Sequence, residues 1–192
     1  MDEPNIQVLA QLHAACLADS FVTALGDGYV RSFYRYVARS GKEITLVERN
    51  TSGRIVAATV VSLEPASFNG RLLRHTSLLL HFVRHAPRML GLLWPRGSAA
   101  SGGSTDTHAP HGVPEMLLLF TAESERGHGT GSTLLRRVED RLRELHVRAY
   151  RVRAVMDPAN RALAFYRDRG FIPTGTDARL GKHFQVFTRT LE

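Results

Sequence analysis

The sequence predicts a mixed α/β fold (α/β or α+β), and three observations carry that reading. The second half runs strand, glycine-rich turn, helix, strand, helix, strand, strand, an order that leaves the middle strands free to lie parallel. The first half reads as two amphipathic helices followed by two strands around a tight turn. At 192 residues and 43 % hydrophobic composition the chain suffices for one domain, residues 1–192, with a core that needs no staples.

Each element has its own signal. Val8, Leu9, Leu12, Ala15 and Cys16 recur at helical spacing, and Tyr29, Val30, Phe33, Tyr34 and Val37 repeat the pattern up to Ser40-Gly41. Residues 44–48 and 55–63 alternate as strands around Thr51-Ser52-Gly53-Arg54. Residues 71–96 form an apolar and basic arm, read as a helix broken at Pro87. A Gly-, Ser- and Thr-rich loop, residues 97–114, follows it. Residues 116–121 make a strongly apolar strand, and Leu134, Leu135, Val138, Leu142 and Leu145 the buried stripe of a helix. Residues 150–156 read as a strand, 159–169 as a short helix, and the remainder from Phe171 as two strands.

Composition narrows the function. One cysteine excludes an internal disulfide, and no Cys/His grouping has metal-ligand spacing, so no metal is expected. Cys16 lies on the first apolar stripe and reads as core. The formal charge is +7, and 23 of the 25 basic residues are arginine, a bias toward anionic partners such as phosphates. Two stretches hold most of it: residues 71–96 carry five Arg and no acid, and residues 126–153 carry eight Arg against three acids. No leader and no run of about 18 apolar residues is present, so a cytoplasmic protein is expected.

The chemical signal lies at Arg126-Gly127-His128-Gly129-Thr130-Gly131, between the apolar strand and the following helix. Glycines there let backbone approach a ligand closely, and the helix adds unpaired N–H groups and the positive end of its dipole. Taken alone, such a turn is equally compatible with a purely structural role. It is neither the G-x-G-x-x-G dinucleotide fingerprint, since Ser132 replaces the third glycine, nor a nucleotide P-loop.

A second motif follows: Asn160-Arg161-Ala162-Leu163-Ala164-Phe165-Tyr166, then Gly170-Phe171. Together the two resemble the GNAT superfamily of acyl-CoA-dependent N-acetyltransferases. The family loop [Gln/Arg]-x-x-Gly-x-[Gly/Ala] is matched by Arg126, Gly129 and Gly131, and the later motif by Ala162, Phe165, Tyr166, Gly170 and Phe171. Asn160 stands one place later than the family asparagine, where Ala159 lies, and helix capping is its alternative reading. The resemblance implies a mixed, mostly antiparallel sheet with a parallel, splayed strand pair at the cofactor cleft and helices on both faces. The arm and loop then appear as an insertion before the central strand.

It also implies roles. Acetyl-CoA is the cosubstrate, its pyrophosphate held on the N–H groups of Gly127, His128, Gly129, Thr130 and Gly131 beside Arg126, with Asn160 and Phe165 as further contacts. Backbone groups of Leu119, Phe120 and Thr121 pair with the pantetheine arm and polarise the thioester carbonyl. An amine attacks directly, without an acyl-enzyme, and Tyr166 protonates the departing thiolate. For the base, two-residue alternation puts Glu115 on one face with Leu117, Leu119 and Thr121, aimed at the cleft; His111 and His183 are alternatives.

The expected function is acetyl transfer to a primary amine of a small molecule or amino sugar, with an anionic acceptor one option. A non-catalytic CoA-sensing, nucleic-acid- or membrane-binding module on the same fold is the alternative. No nucleic-acid partner is expected, because no recognition helix or RNA-binding aromatic signature is evident. The arm reads as packing on the core or on a second copy in a homodimer, as an acceptor-site cover, or as a peripheral membrane contact.

Overall fold

The protein is described by a computed structural model over residues 2–74, 112–179 and 181–192. The arm beyond Arg74 and the loop up to residue 111, with His75, His81, His85 and His111, lie outside the described residues.

Helices α1 (Glu3–Cys16), α2 (Phe21–Ala24) and α3 (Asp27–Arg39) come first. They are followed by a hairpin of β1 (Glu43–Arg49) and β2 (Ile55–Ser62), and by α4 (Pro65–Arg74). The second half supplies β3 (Glu115–Thr121), α5 (Thr130–Glu144), β4 (Ala149–Val155), α6 (Ala162–Arg167), β5 (Ile172–Arg179) and β6 (Lys182–Thr190). The six strands form one sheet in the order β1-β2-β3-β4-β6-β5. Every neighbouring pair is antiparallel except β3–β4, which is parallel. The expected mixed, mostly antiparallel sheet is therefore present.

Two apolar clusters cover its two faces. Ile6, Leu9, Tyr29, Val30, Phe33, Tyr34 and Val37 of α1 and α3, with Phe68 and Leu72 of α4, pack against Ala58, Val60 and Phe120. On the opposite face Leu135, Val138 and Leu142 of α5 and Tyr166 of α6 pack against Val61, Met116, Tyr150, Val152 and Phe187.

A β-bulge sorts β3 between these clusters. Val60 pairs with Leu118 and Val61 with Met116, so Leu117 is the extra residue. Met116 consequently packs on the α5 face, whereas Phe120, four residues on, packs on the α1–α3 face. Unbroken alternation would have put the two on one face.

Three local expectations are corrected. The buried face of α1 runs through Ile6, Leu9, Ala10 and His13, while Val8 is 42 % exposed and Ala15 is exposed. The stripe is thus one residue out of register with the expected one, because a histidine occupies a core position. Cys16 is half-buried instead of core. A helix also begins at Pro65, ahead of the expected start of the arm, since proline at the first helical position lacks only an N–H that would have no partner there.

His13 is 1 % exposed. Its Nδ1 lies 2.7 Å from the Tyr34 hydroxyl and its Nε2 3.2 Å from Ser20 Oγ, with the Phe33, Tyr34 and Phe120 rings around it. Burial disfavours the imidazolium and lowers its pKa from 6.5 to about 4. The unfolded chain therefore binds this proton near pH 6.5 and the folded protein only near pH 4, so stability rises with pH between those values and is lost as pH falls through them. This group alone accounts for a loss of up to about 3 kcal/mol by pH 4. In urea unfolding from pH 7.5 to pH 4.5, His13→Phe should be less stable at neutral pH yet show a shallower pH dependence than the parent. Parallel curves would refute the assignment.

Candidate active site

The site begins where β3 and β4 part. They pair only at Glu115↔Arg151 and Met116↔Val152. Beyond those two pairs β3 stays with β2 and β4 with β6, so residues 117–121 face an open wedge. An unpaired edge offers backbone N–H and C=O groups to an extended ligand, as a sheet edge does to an added strand.

At the wide end of the wedge the chain turns through a short 3₁₀ segment, Glu123–Glu125, into the glycine loop. Gly127 and Gly129 have φ of 82° and 81°, the left-handed region that side chains resist. Gly129 caps α5 with no side-chain hydrogen bond, and the first turn of α5 holds no acid. Thr133 is the first residue whose N–H reaches back to a loop carbonyl, that of Gly129 at 3.0 Å. Among the described residues, none of the N–H groups of residues 127–132 has a backbone acceptor. The loop thus keeps a row of N–H groups without backbone partners at the positive end of a 15-residue helix.

Three of the predicted residues meet at its base. A Cβ on Gly131 would stand 3.5 Å from the Phe165 ring and 3.5 Å from Thr121 Oγ1, so α5, α6 and β3 converge there. Arg126 turns back to donate from Nε to the Thr121 carbonyl at 3.3 Å, and Cys16 Sγ lies 3.5 Å from the same oxygen. His128 is exposed on the loop.

Tyr166 follows Phe165 on α6 and is 5 % exposed, walled by the rings of Phe165, Phe171 and Phe187. Burial pushes its phenol well above the ordinary tyrosine value. Gly170, at φ 74°, ends this helix turn. A side chain there would strike the Arg189 guanidinium, which donates to the Gly170 carbonyl at 3.3 Å.

Asn160 lies one residue ahead of Arg161, the N-cap of α6. Its Nδ2 donates to the Val155 carbonyl at 2.8 Å and its Oδ1 accepts the Ala162 N–H at 3.1 Å, tying the end of β4 to the start of α6. Both ends of its amide are engaged within the chain.

A model of the acetyltransferase (GNAT) family matches residues 15–171. The chain belongs to the GNAT acetyltransferase family. As a GNAT enzyme it is an acyl-CoA-dependent N-acyltransferase, and acetyl-CoA is its cosubstrate. No curated protein matches the sequence. Solved structures that share the fold include the ribosomal-protein-alanine N-acetyltransferase of Brucella melitensis, at 15 % identity and a TM-score of 0.61, covering 100 % of this chain and 97 % of that one. The ribosomal-protein-S18-alanine N-acetyltransferase of Escherichia coli has 9 % identity and a TM-score of 0.60, with coverage of 100 % and 90 %. Salmonella typhimurium yncA, solved with acetyl-CoA, has 11 % identity and a TM-score of 0.60, with coverage of 100 % and 91 %.

Glu115 departs from expectation in this GNAT enzyme. The bulge at Leu117 lies between it and Thr121, so the alternation that would aim it with Leu119 and Thr121 is broken. Glu115 is buried, opposite Ser62 and Arg151 in the sheet. Oε2 accepts from Arg151 Nε at 2.9 Å, and Oε1 pairs with Arg153 Nη1. Arg153 Nε in turn lies 2.9 Å from Asp177, which also pairs with Arg179 at 2.6 Å. A carboxylate with both oxygens on guanidinium donors is an ion-pair partner and not an available proton acceptor. Nothing in its sequence neighbourhood announces this, because both partners come from β4. His183 lies exposed at the start of β6, its carbonyl accepting the Met156 N–H just past the end of β4.

Glu115→Gln keeps the shape and removes the carboxylate charge that Arg151 and Arg153 share. Thermal or urea unfolding should register a loss of about 3 kcal/mol. The pH–rate profile should keep its acid limb, and loss of the acid-limb pKa in the variant would restore Glu115 as the base.

Proposed function

We propose that this enzyme transfers the acetyl group of acetyl-CoA directly to a primary amine of a small molecule or amino sugar. One observation carries the reading: among the described residues, the N–H groups of residues 127–132 lack backbone acceptors at the positive end of α5, beside a β-strand edge left open by the β3–β4 wedge. The residues suit the cosubstrate, because a diphosphate needs converging donors without acids, and an amide-rich arm needs an unpaired strand edge. When bound, acetyl-CoA supplies the acyl group as an activated thioester.

The chain's own groups then divide the work. Gly127, His128, Gly129, Thr130 and Gly131 hold the phosphates through backbone donors, with the Arg126 charge alongside. The open edge from Leu119 through Phe120 to Thr121 orients the thioester, and an N–H there stabilises charge developing on its carbonyl oxygen. Phe165 backs this end of the cleft through Gly131. Tyr166 gives its proton to the leaving sulfur, and the proton shed by the attacking amine passes to solvent, from which the phenolate is reprotonated. With acid supply from Tyr166 and electrostatic support from the backbone, no side-chain nucleophile and no acyl-enzyme are required.

Two variants test separate parts. Gly129→Glu places a negative side chain at the loop's centre, in open space but at positive φ. Calorimetry should show acetyl-CoA binding abolished, while folding is weakened by only about 1–2 kcal/mol; retained binding would remove the loop from the cofactor site.

In CoA-release assays over a panel of amines and amino sugars, Tyr166→Phe should lower kcat by roughly 10²–10⁴-fold with acetyl-CoA affinity preserved. An unchanged kcat would dismiss Tyr166 as the acid.

A further inference from the structure

We propose that Arg169 is a cofactor-binding residue of this enzyme, its guanidinium gripping a phosphate of CoA beside the first turn of α5. The proposal rests on the reading that residues 127–131 hold the diphosphate.

Arg169 lies just past α6, and its side chain crosses to α5. Nε donates to Ser132 Oγ at 3.0 Å, Nη2 reaches the same oxygen, and Nη1 donates to the Phe165 carbonyl at 3.1 Å. The guanidinium stacks on the Phe165 ring, its carbon 3.9 Å from the ring centre. It is half-buried, and among the described residues it has no carboxylate partner.

Its position is electrostatically unfavourable within the protein alone. Ser132 belongs to the first turn of α5, where the helix dipole is positive, no acid offsets it, and Arg126 adds further charge nearby. A cation fixed at a helix N-terminus opposes the dipole, and chains ordinarily put acids there. The arrangement becomes favourable once an anion joins it.

Geometry makes Arg169 ready for that anion. A guanidinium has five N–H donors, and three serve Ser132 and Phe165, leaving two. Stacking and the hydrogen bonds to Ser132 and Phe165 hold it in one orientation, so little freedom is lost on gripping a phosphate. Phe165 also backs Gly131, which sets Arg169 one side chain away from the loop.

The test compares three probes on the parent, Arg169→Gln and Arg169→Lys: acetyl-CoA, acetyl-dephospho-CoA and acetylpantetheine, the last lacking every phosphate. Calorimetric titration of the full chain should show Arg169→Gln weakening acetyl-CoA by roughly tenfold to a hundredfold and leaving acetylpantetheine unchanged. Arg169→Lys, which keeps the charge and loses the stack, should retain most of the affinity. An equal loss with acetyl-dephospho-CoA assigns the contact to the diphosphate, and a loss confined to acetyl-CoA assigns it to the 3′-phosphate; either supports the proposal. Equal weakening of acetyl-CoA and acetylpantetheine would overturn it, reducing Arg169 to a prop for Phe165, as would no change with any probe. A parent protein that binds acetyl-CoA no better than acetylpantetheine would instead overturn the phosphate-loop reading itself.

Discussion

The structure depends on a strand pair that stops pairing. β3 and β4 share two residue pairs and then separate, and each keeps its other neighbour, so the sheet stays continuous while a wedge opens inside it. An interior gap would ordinarily leave backbone groups and apolar side chains exposed. Here α5 bridges the two sides, with Leu135, Val138 and Leu142 touching a cluster that draws on β2, β3 and β4 together. The helix that carries the loop's donors is therefore also the one that makes the gap tolerable. Cleft and anion site share a single cause.

Charge is handled oppositely at the two ends of the wedge. At the narrow end, on the face away from α5, Glu115, Arg151, Arg153 and Asp177 are partnered with one another and largely buried. At the wide end, Arg126, Arg169 and the helix dipole face one another without an acid in the first turn of α5. Matched charges rigidify the junction where the strands still pair, and the guanidiniums at the open end have no carboxylate partner among the described residues. The net +7 of the chain thus has local meaning only where its arginines lack partners.

Local chemistry was legible in the sequence, and long-range placement was not. The glycine loop, the apolar stripe of α5 as far as Leu142 and the Gly170-Phe171 ending each state a backbone or packing need within a few residues and stand where expected, whereas Leu145, also expected in that stripe, caps the helix and is 39 % exposed. The buried face of α1 was misread because His13 looks polar in sequence, yet Tyr34 and Ser20 satisfy it in the core. Glu115 was misplaced by a single bulge residue, Leu117, since alternation holds only while no residue is inserted. Arg169 and its partner Ser132 lie 37 residues apart, and no periodicity links them.

β2 and β3 are antiparallel neighbours, a relation that a two-residue hairpin would satisfy, yet residues 63–114 join them. The entropy of closing such a connection grows only logarithmically, about 0.6 kcal/mol for each doubling of length. Register is fixed meanwhile by strand pairing and by the bulge, and neither senses what lies between. This junction is consequently the place where the lineage can lengthen, shorten or exchange sequence with the donor machinery undisturbed.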